Sequence, residues 1–191
     1  VAGGSTATGI VSLDTNAPVG GLVINLLSSD AAATVPATVT VAAGSQLAIF
    51  TVNTKAVSTD TGVVVTASTG ASSVTGAFAV LAGRLASVSV APTSVVGSNS
   101  STGTVTLSSN APTGGMVVSL SSNLAGVTVP ATVTVPAGSI SRTFTVGTTQ
   151  VASTVTATIS ATLDTATATT ELVVNPPSVT ALSLSSASVA G

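Results

Sequence analysis

Few side chains in this 191-residue sequence could do chemistry, and they are scattered. The carboxylates are Asp14, Asp30, Asp60, Asp164 and Glu171, and the cations are Lys55, Arg84 and Arg142. A calcium site needs several oxygen ligands converging on one point. The chain repeats itself at an offset of 94 residues, as shown below, and at that offset Asp14 becomes Ser108, Asp30 becomes Leu124, Asp60 becomes Thr154 and Asp164 faces Gly70. No repeated calcium site is therefore encoded, and the carboxylates read as solvated loop residues. A glycosidase pair fits no better, because a sugar platform wants aromatic rings and the chain has three Phe, no Trp and no Tyr. With no His and no Cys, an imidazole base, a thiolate nucleophile, a disulfide and the usual zinc ligands are all absent. The expectation is no catalytic residue, no cofactor and no metal site.

The remaining motifs lead to architecture. Gly20-Gly21 and Gly114-Gly115 precede strand-like runs, so they read as turn glycines and not as phosphate loops. Thr154, Thr156 and Thr158, and again Thr165, Thr167 and Thr169, place hydroxyls on one strand face. An ice-binding plane would use such a ladder, but threonine is also an ordinary solvent-facing strand residue. Asn99-Ser100-Ser101 is a lone glycosylation sequon, and Phe50 and Phe144 share one repeat position and read as core plugs.

Charge and hydropathy exclude two further classes. A net charge of −2 with three isolated cations cannot neutralise a run of phosphates, and the shortage of aromatic rings leaves nothing to stack on bases. Mean hydropathy is +0.76, yet Ser, Thr, Gly or Pro interrupts every few positions, so no membrane-spanning helix is expected. An outer-membrane barrel would need aromatic girdles that three Phe cannot form. Neither a signal peptide nor an initiator Met is visible, and the sequence reads as a mature or excised segment.

The elements that must carry these residues follow from the repeat. Asn16-Ala17-Pro18 recurs as Asn110-Ala111-Pro112, Thr34 to Val41 recurs as Thr128 to Val135, and Phe50-Thr51-Val52 recurs as Phe144-Thr145-Val146, all at an offset of 94 residues. Within each unit, apolar residues alternate with polar ones in short runs rich in Val, Thr, Leu and Ile, which predicts strands and no helix. In the second unit strands are expected over 85–90, 93–96, 102–109, 116–121, 127–129 with 131–135, 140–147, 154–161 and 168–174. Turn signals such as Asn110 to Gly115 and Pro136-Ala137-Gly138 separate them. An all-β Greek-key sandwich of about seven strands per roughly 100 residues is the natural container.

The run Thr102-Gly-Thr-Val-Thr-Leu-Ser-Ser-Asn-Ala-Pro-Thr-Gly-Gly115, followed by Val129-Pro-Ala-Thr-Val-Thr-Val-Pro-Ala-Gly138 and Phe144-Thr-Val146, resembles the bacterial immunoglobulin-like tandem repeats of large surface and secreted proteins. The resemblance covers the whole chain, twice. It implies tandem immunoglobulin-like Greek-key sandwiches at a cell surface or outside the cell, and its motifs mark a fold more sharply than a function.

The phase of the repeat divides the chain into 1–83, an immunoglobulin-like unit without its first strand; 84–177, a complete unit; and 178–191, the first strand of a further unit. At the repeat offset Val179-Thr-Ala-Leu-Ser-Leu184 corresponds to Leu85–Val90, and Val189-Ala190-Gly191 repeats Val1-Ala2-Gly3 after twice 94, or 188, residues. Val179, Ala181, Leu182, Leu184 and Val189 are therefore expected to complete the first sandwich of the next copy, either as one continuous chain or as a strand donated in trans. The partners expected are further copies of the same chain, head to tail, with lateral bundling favoured by a surface almost free of charge. The expected role is a non-catalytic filament, stalk or spacer. The alternative is an adhesin module that binds a glycan or protein through loops at the sandwich ends.

Overall fold

Alternation of small polar and branched apolar residues makes each run half-buried on a pleated surface, and the turns between the runs are set by Gly and Pro. In the computed structural model, which describes residues 1–70 and 72–183, these runs form β1 (Thr6–Ser12), β2 (Leu22–Ser28), β3 (Ala33–Thr34), β4 (Thr38–Val41), β5 (Leu47–Thr54), β6 (Thr61–Thr69) and β7 (Ser72–Val80). The second unit supplies β8 (Leu85–Ala91), β9 (Ser94–Val96), β10 (Ser101–Leu107), β11 (Met116–Ser122), β12 (Val127–Thr128), β13 (Thr132–Val135), β14 (Ser141–Thr148), β15 (Val155–Leu163) and β16 (Ala166–Asn175). There is no helix among the described residues.

Two sheets face each other in each unit. In the second they run β12-β14-β10-β8 and β13-β11-β15-β16-β9, the arrangement of an immunoglobulin-like sandwich. In the first they run β1-β5-β3 and β4-β2-β6-β7. Pairing is antiparallel throughout except between β9 and β16, where Val173, Val174 and Asn175 run parallel to Ser94, Val95 and Val96. The counterpart in the first unit is a single parallel bridge between Ala2 and Leu81.

All nine runs expected in the second unit are strands, two more than the usual seven of such a sandwich. Pro130 has no N–H to give to a ladder and divides the run 127–135, so that β12 joins β14 in one sheet while β13 joins β11 in the other. The Gly-Gly pairs are turn glycines as expected: Gly20, Gly21, Gly114 and Gly115 have φ of 99°, 81°, 99° and 77°, a region closed to most side chains.

The two cores differ in continuity. In the second unit Val88 and Val90 of β8, Val105, Phe144, Ile159 and Leu172 belong to one cluster with the rest of the buried residues. In the first unit the buried residues split into two clusters, one around Val11, Ile24 and Val41 and the other around Val52, Val63 and Val80. Phe50 borders both. The continuous cluster includes Val88 and Val90 on the apolar face of β8, and among the described residues no strand takes that place in the first unit.

Candidate functional site

β10 lies between β14 and β8, whereas its repeat counterpart β1 pairs only with β5 among the described residues. One edge of β1 is therefore free, and beside it runs a groove of about 410 Å³ between β1 and β7. Its floor is apolar: Phe50 and Val52 from β5, Val65 and Ala67 from β6, with Val74 and Phe78 of β7 on the far wall.

Comparison of equivalent positions shows what the groove lacks. Ile159 and Ala161 of the second unit are both fully buried at 0% exposure, but their counterparts Val65 and Ala67 are only half-buried. Leu172 is fully buried and its counterpart Phe78 half-buried, while Val74 stands 64% exposed. An exposed apolar groove flanked by a free strand edge is the surface that strand addition uses, with backbone bonds supplying affinity and alternate side chains supplying specificity.

A glycine lets the groove approach β1 closely. The ring of Phe50 lies against Gly9, where a Cβ would collide with it, and Phe144 covers Gly103 in the same way. Phe144 is a buried core plug as expected, but Phe50 is half-buried because the groove opens beside it. The repeat pair Gly9 and Gly103, each opposite its Phe in the ladder, was the available signal for this contact.

Of the expected inter-copy strand residues, Val179 and Leu182 are 93% and 87% exposed and Ala181 is exposed, with 178–183 in no strand. Leu184 and Val189 lie outside the described residues. Asp60 is an exposed loop carboxylate as expected, with a task the sequence did not show. It is a joint residue: the Ala82 N–H donates to Asp60 Oδ1 at 2.9 Å, and Arg84 Nη2 donates to Asp60 Oδ2 at 2.8 Å. The backbone bond from Ala82 holds the Asp60 carboxyl below its usual pKa against a smaller opposing effect of desolvation, and the Arg84 guanidinium adds to the lowering. Asp30 also has a structural task, since its Oδ1 accepts the Ala32 N–H at 2.7 Å in a local turn. No group of three or more potential metal ligands occurs among the described residues. The Thr165, Thr167 and Thr169 side chains are exposed on the outer face of the sandwich.

No protein-family model matches the chain, and no curated protein sequence matches it either. Among solved structures, invasin, titled a bacterial integrin-binding protein, has a TM-score of 0.51 and 16% identity over 90% of this chain. That match spans 39% of the invasin chain. The D0-D1 domain of intimin has a TM-score of 0.40 and 15% identity, covering 91% of this chain and 93% of its own. Domains 4 and 5 of the S-layer protein SbsC give 0.38 and 21% over 81% of this chain and 70% of theirs. The invasin likeness bears on architecture, and with the strand order above it fixes the fold as immunoglobulin-like and all-β.

Proposed function

We propose that this chain is a non-catalytic structural segment of an extracellular or cell-surface array, built from copies joined head to tail. The observation that carries the reading is the free edge of β1 beside an apolar groove, in a unit whose sister holds β8 at the same place. In the second unit β8 pairs with β10 from Thr102–Ala91 to Leu107–Leu85. By the repeat offset, residues 179–185 of another copy pair with Thr8 to Leu13, placing Leu182 opposite Val11 and Leu184 opposite Gly9. Full burial of each leucine would contribute roughly 1.5–3 kcal/mol, and pairing relieves a strand edge that is otherwise a liability. The same geometry serves a continuous polypeptide of repeating units or separate subunits that donate the strand. The divisions 1–83, 84–177 and 178–191 then mark acceptor, spacer and donor.

Sedimentation velocity and negative-stain electron microscopy of the 191-residue chain test this. The expected outcome is concentration-dependent growth into unbranched beaded strings, abolished by Leu182→Asp, which buries a charge in the groove. A monomer at all concentrations, or strings unaffected by Leu182→Asp, would sink the reading.

A further inference from the structure

The groove is not a copy of the β8 seat, and its differences have a direction. β8 leads into β9, which runs parallel to β16 with Ser94 beside Val173. Counting back along both strands at equal rise brings Val90 level with Thr169, between the inward-facing rows of Thr170 with Ile159 and Ala168 with Ala161. In the first unit the former row is Gly76 paired with Val65, which removes a whole threonine side chain and one methylene from the wall. The rows on either side, Val63 with Phe78 in place of Ala157 with Leu172 and Ala67 with Val74 in place of Ala161 with Ala168, are larger, so the space is a local hollow and not a general widening. The residue of the 178–188 segment at the position of Val90 is Leu184, one methylene longer, and in the strand completion proposed above it would stand opposite Gly9.

Resting on the strand completion proposed above, we infer that the groove is a selective receptor for the 178–188 segment of another copy and discriminates against the β8 sequence itself, with Leu184 as the specificity residue and the Val65–Gly76 hollow as its pocket. Such selectivity gives the array a register. β8 is covalently tied to its own sandwich, and a groove that favours 178–188 keeps a frayed β8 from invading a neighbour, so that copies join donor to acceptor and not spacer to acceptor.

The test uses the full chain carrying Leu182→Asp and Leu184→Asp, whose tail cannot donate while its groove is intact, and two fluorescent peptides, residues 178–188 and the equivalent 84–94. Fluorescence anisotropy is expected to show the 178–188 peptide binding about fourfold more tightly, since Leu182 and Leu184 add two methylenes and Val179 in place of Leu85 removes one. Leu184→Val in that peptide is expected to remove most of the advantage. Val65→Ile with Gly76→Thr in the chain installs the residues of the second unit and is expected to turn the preference towards 84–94. Equal binding of the two peptides, or tighter binding of 84–94 to the unaltered groove, would overturn the selectivity and leave strand completion standing. Binding of neither peptide would overturn both.

Discussion

At the scale of single residues, the tasks are done by small groups at close quarters. Asp60 is held below the usual carboxylate range mainly because the Ala82 N–H donates to its ionised form. A lowered folded-state pKa stabilises the joint above the ordinary titration range of aspartate, and that contribution is lost as pH falls through the lowered value. The Ala82 amide resonance is therefore expected to titrate with a midpoint below that of an unperturbed aspartate, and the titration is expected to vanish in Asp60→Asn; a midpoint at or above the ordinary value would contradict the contact. Gly9 and Gly103 make a second test. A Cβ at either collides with the facing Phe ring, but Phe144 is enclosed in a continuous core whereas Phe50 has open space beside it. Gly103→Ala is expected to destabilise by about 1–3 kcal/mol in denaturant unfolding, and Gly9→Ala by clearly less. Neither role was fully legible in the sequence. Asp60 reaches a backbone N–H 22 residues away, and its repeat counterpart Thr154 hid the task instead of revealing it.

At the scale of strands, alternation and turn chemistry located nearly every element of the second unit within a residue or two, because Val-Thr runs bounded by Asn-Ala-Pro, Gly-Gly and Pro-Ala-Gly leave little choice. The break at Pro130 was legible, but alternation does not encode which sheet a short run joins, so the assignment of β12 and β13 to opposite sheets needed three dimensions. That no run within residues 1–83 matches Leu85–Val90 is legible in the repeat itself; the shape of the hollow at Val65 and Gly76 is not, since it depends on which residues share a row across β6 and β7. The energetic consequence belongs to the whole sandwich. With its core split in two and one edge unpaired, the first unit is expected to unfold at a lower denaturant concentration than the second, giving two transitions. Added 178–188 peptide is expected to raise the first transition and leave the second in place. A single transition that the peptide does not move would count against the groove as an unfilled seat.

At the scale of the molecule, the two joints are built differently. The first is fastened by Asp60 to Ala82 and Arg84. At the second, Pro176 replaces Ala82 and offers no N–H, Ser178 replaces Arg84, and the bonds run from Thr154 to Asn175 at 3.0 Å and from Asn175 to Ser94 at 2.8 Å. With eight charged side chains in 191 residues, the proposed association through the groove would rely on apolar burial and backbone pairing. Assembly of the chain is accordingly expected to persist at about 1 M salt, where the Debye length is near 3 Å; dissociation on adding salt, read by sedimentation, would point to an electrostatic contact elsewhere.

The parallel pairing of β9 with β16 has a mechanical meaning. In a string of units, tension enters the second sandwich at Leu85 and leaves at Asn175, so it drags β8 and β9 one way and β16 the other along their lengths. The Ser94–Val173, Val95–Val174 and Val96–Asn175 pairs, with the Val173 N–H to Thr93 and the Gly97 N–H to Asn175 carbonyl bonds at 2.9 Å each, are then loaded side by side in shear. They must yield together, unlike a hairpin pulled open one rung at a time. In the first unit the same load falls on Ala2 and Leu81 with the Leu81 N–H to Val1 carbonyl bond at 2.8 Å and the Gly3 N–H to Leu81 carbonyl bond at 3.0 Å. An incoming strand seated along β1 would add a second row of rungs to that shorter clasp, so the contact that joins copies would also set how hard the string can be pulled.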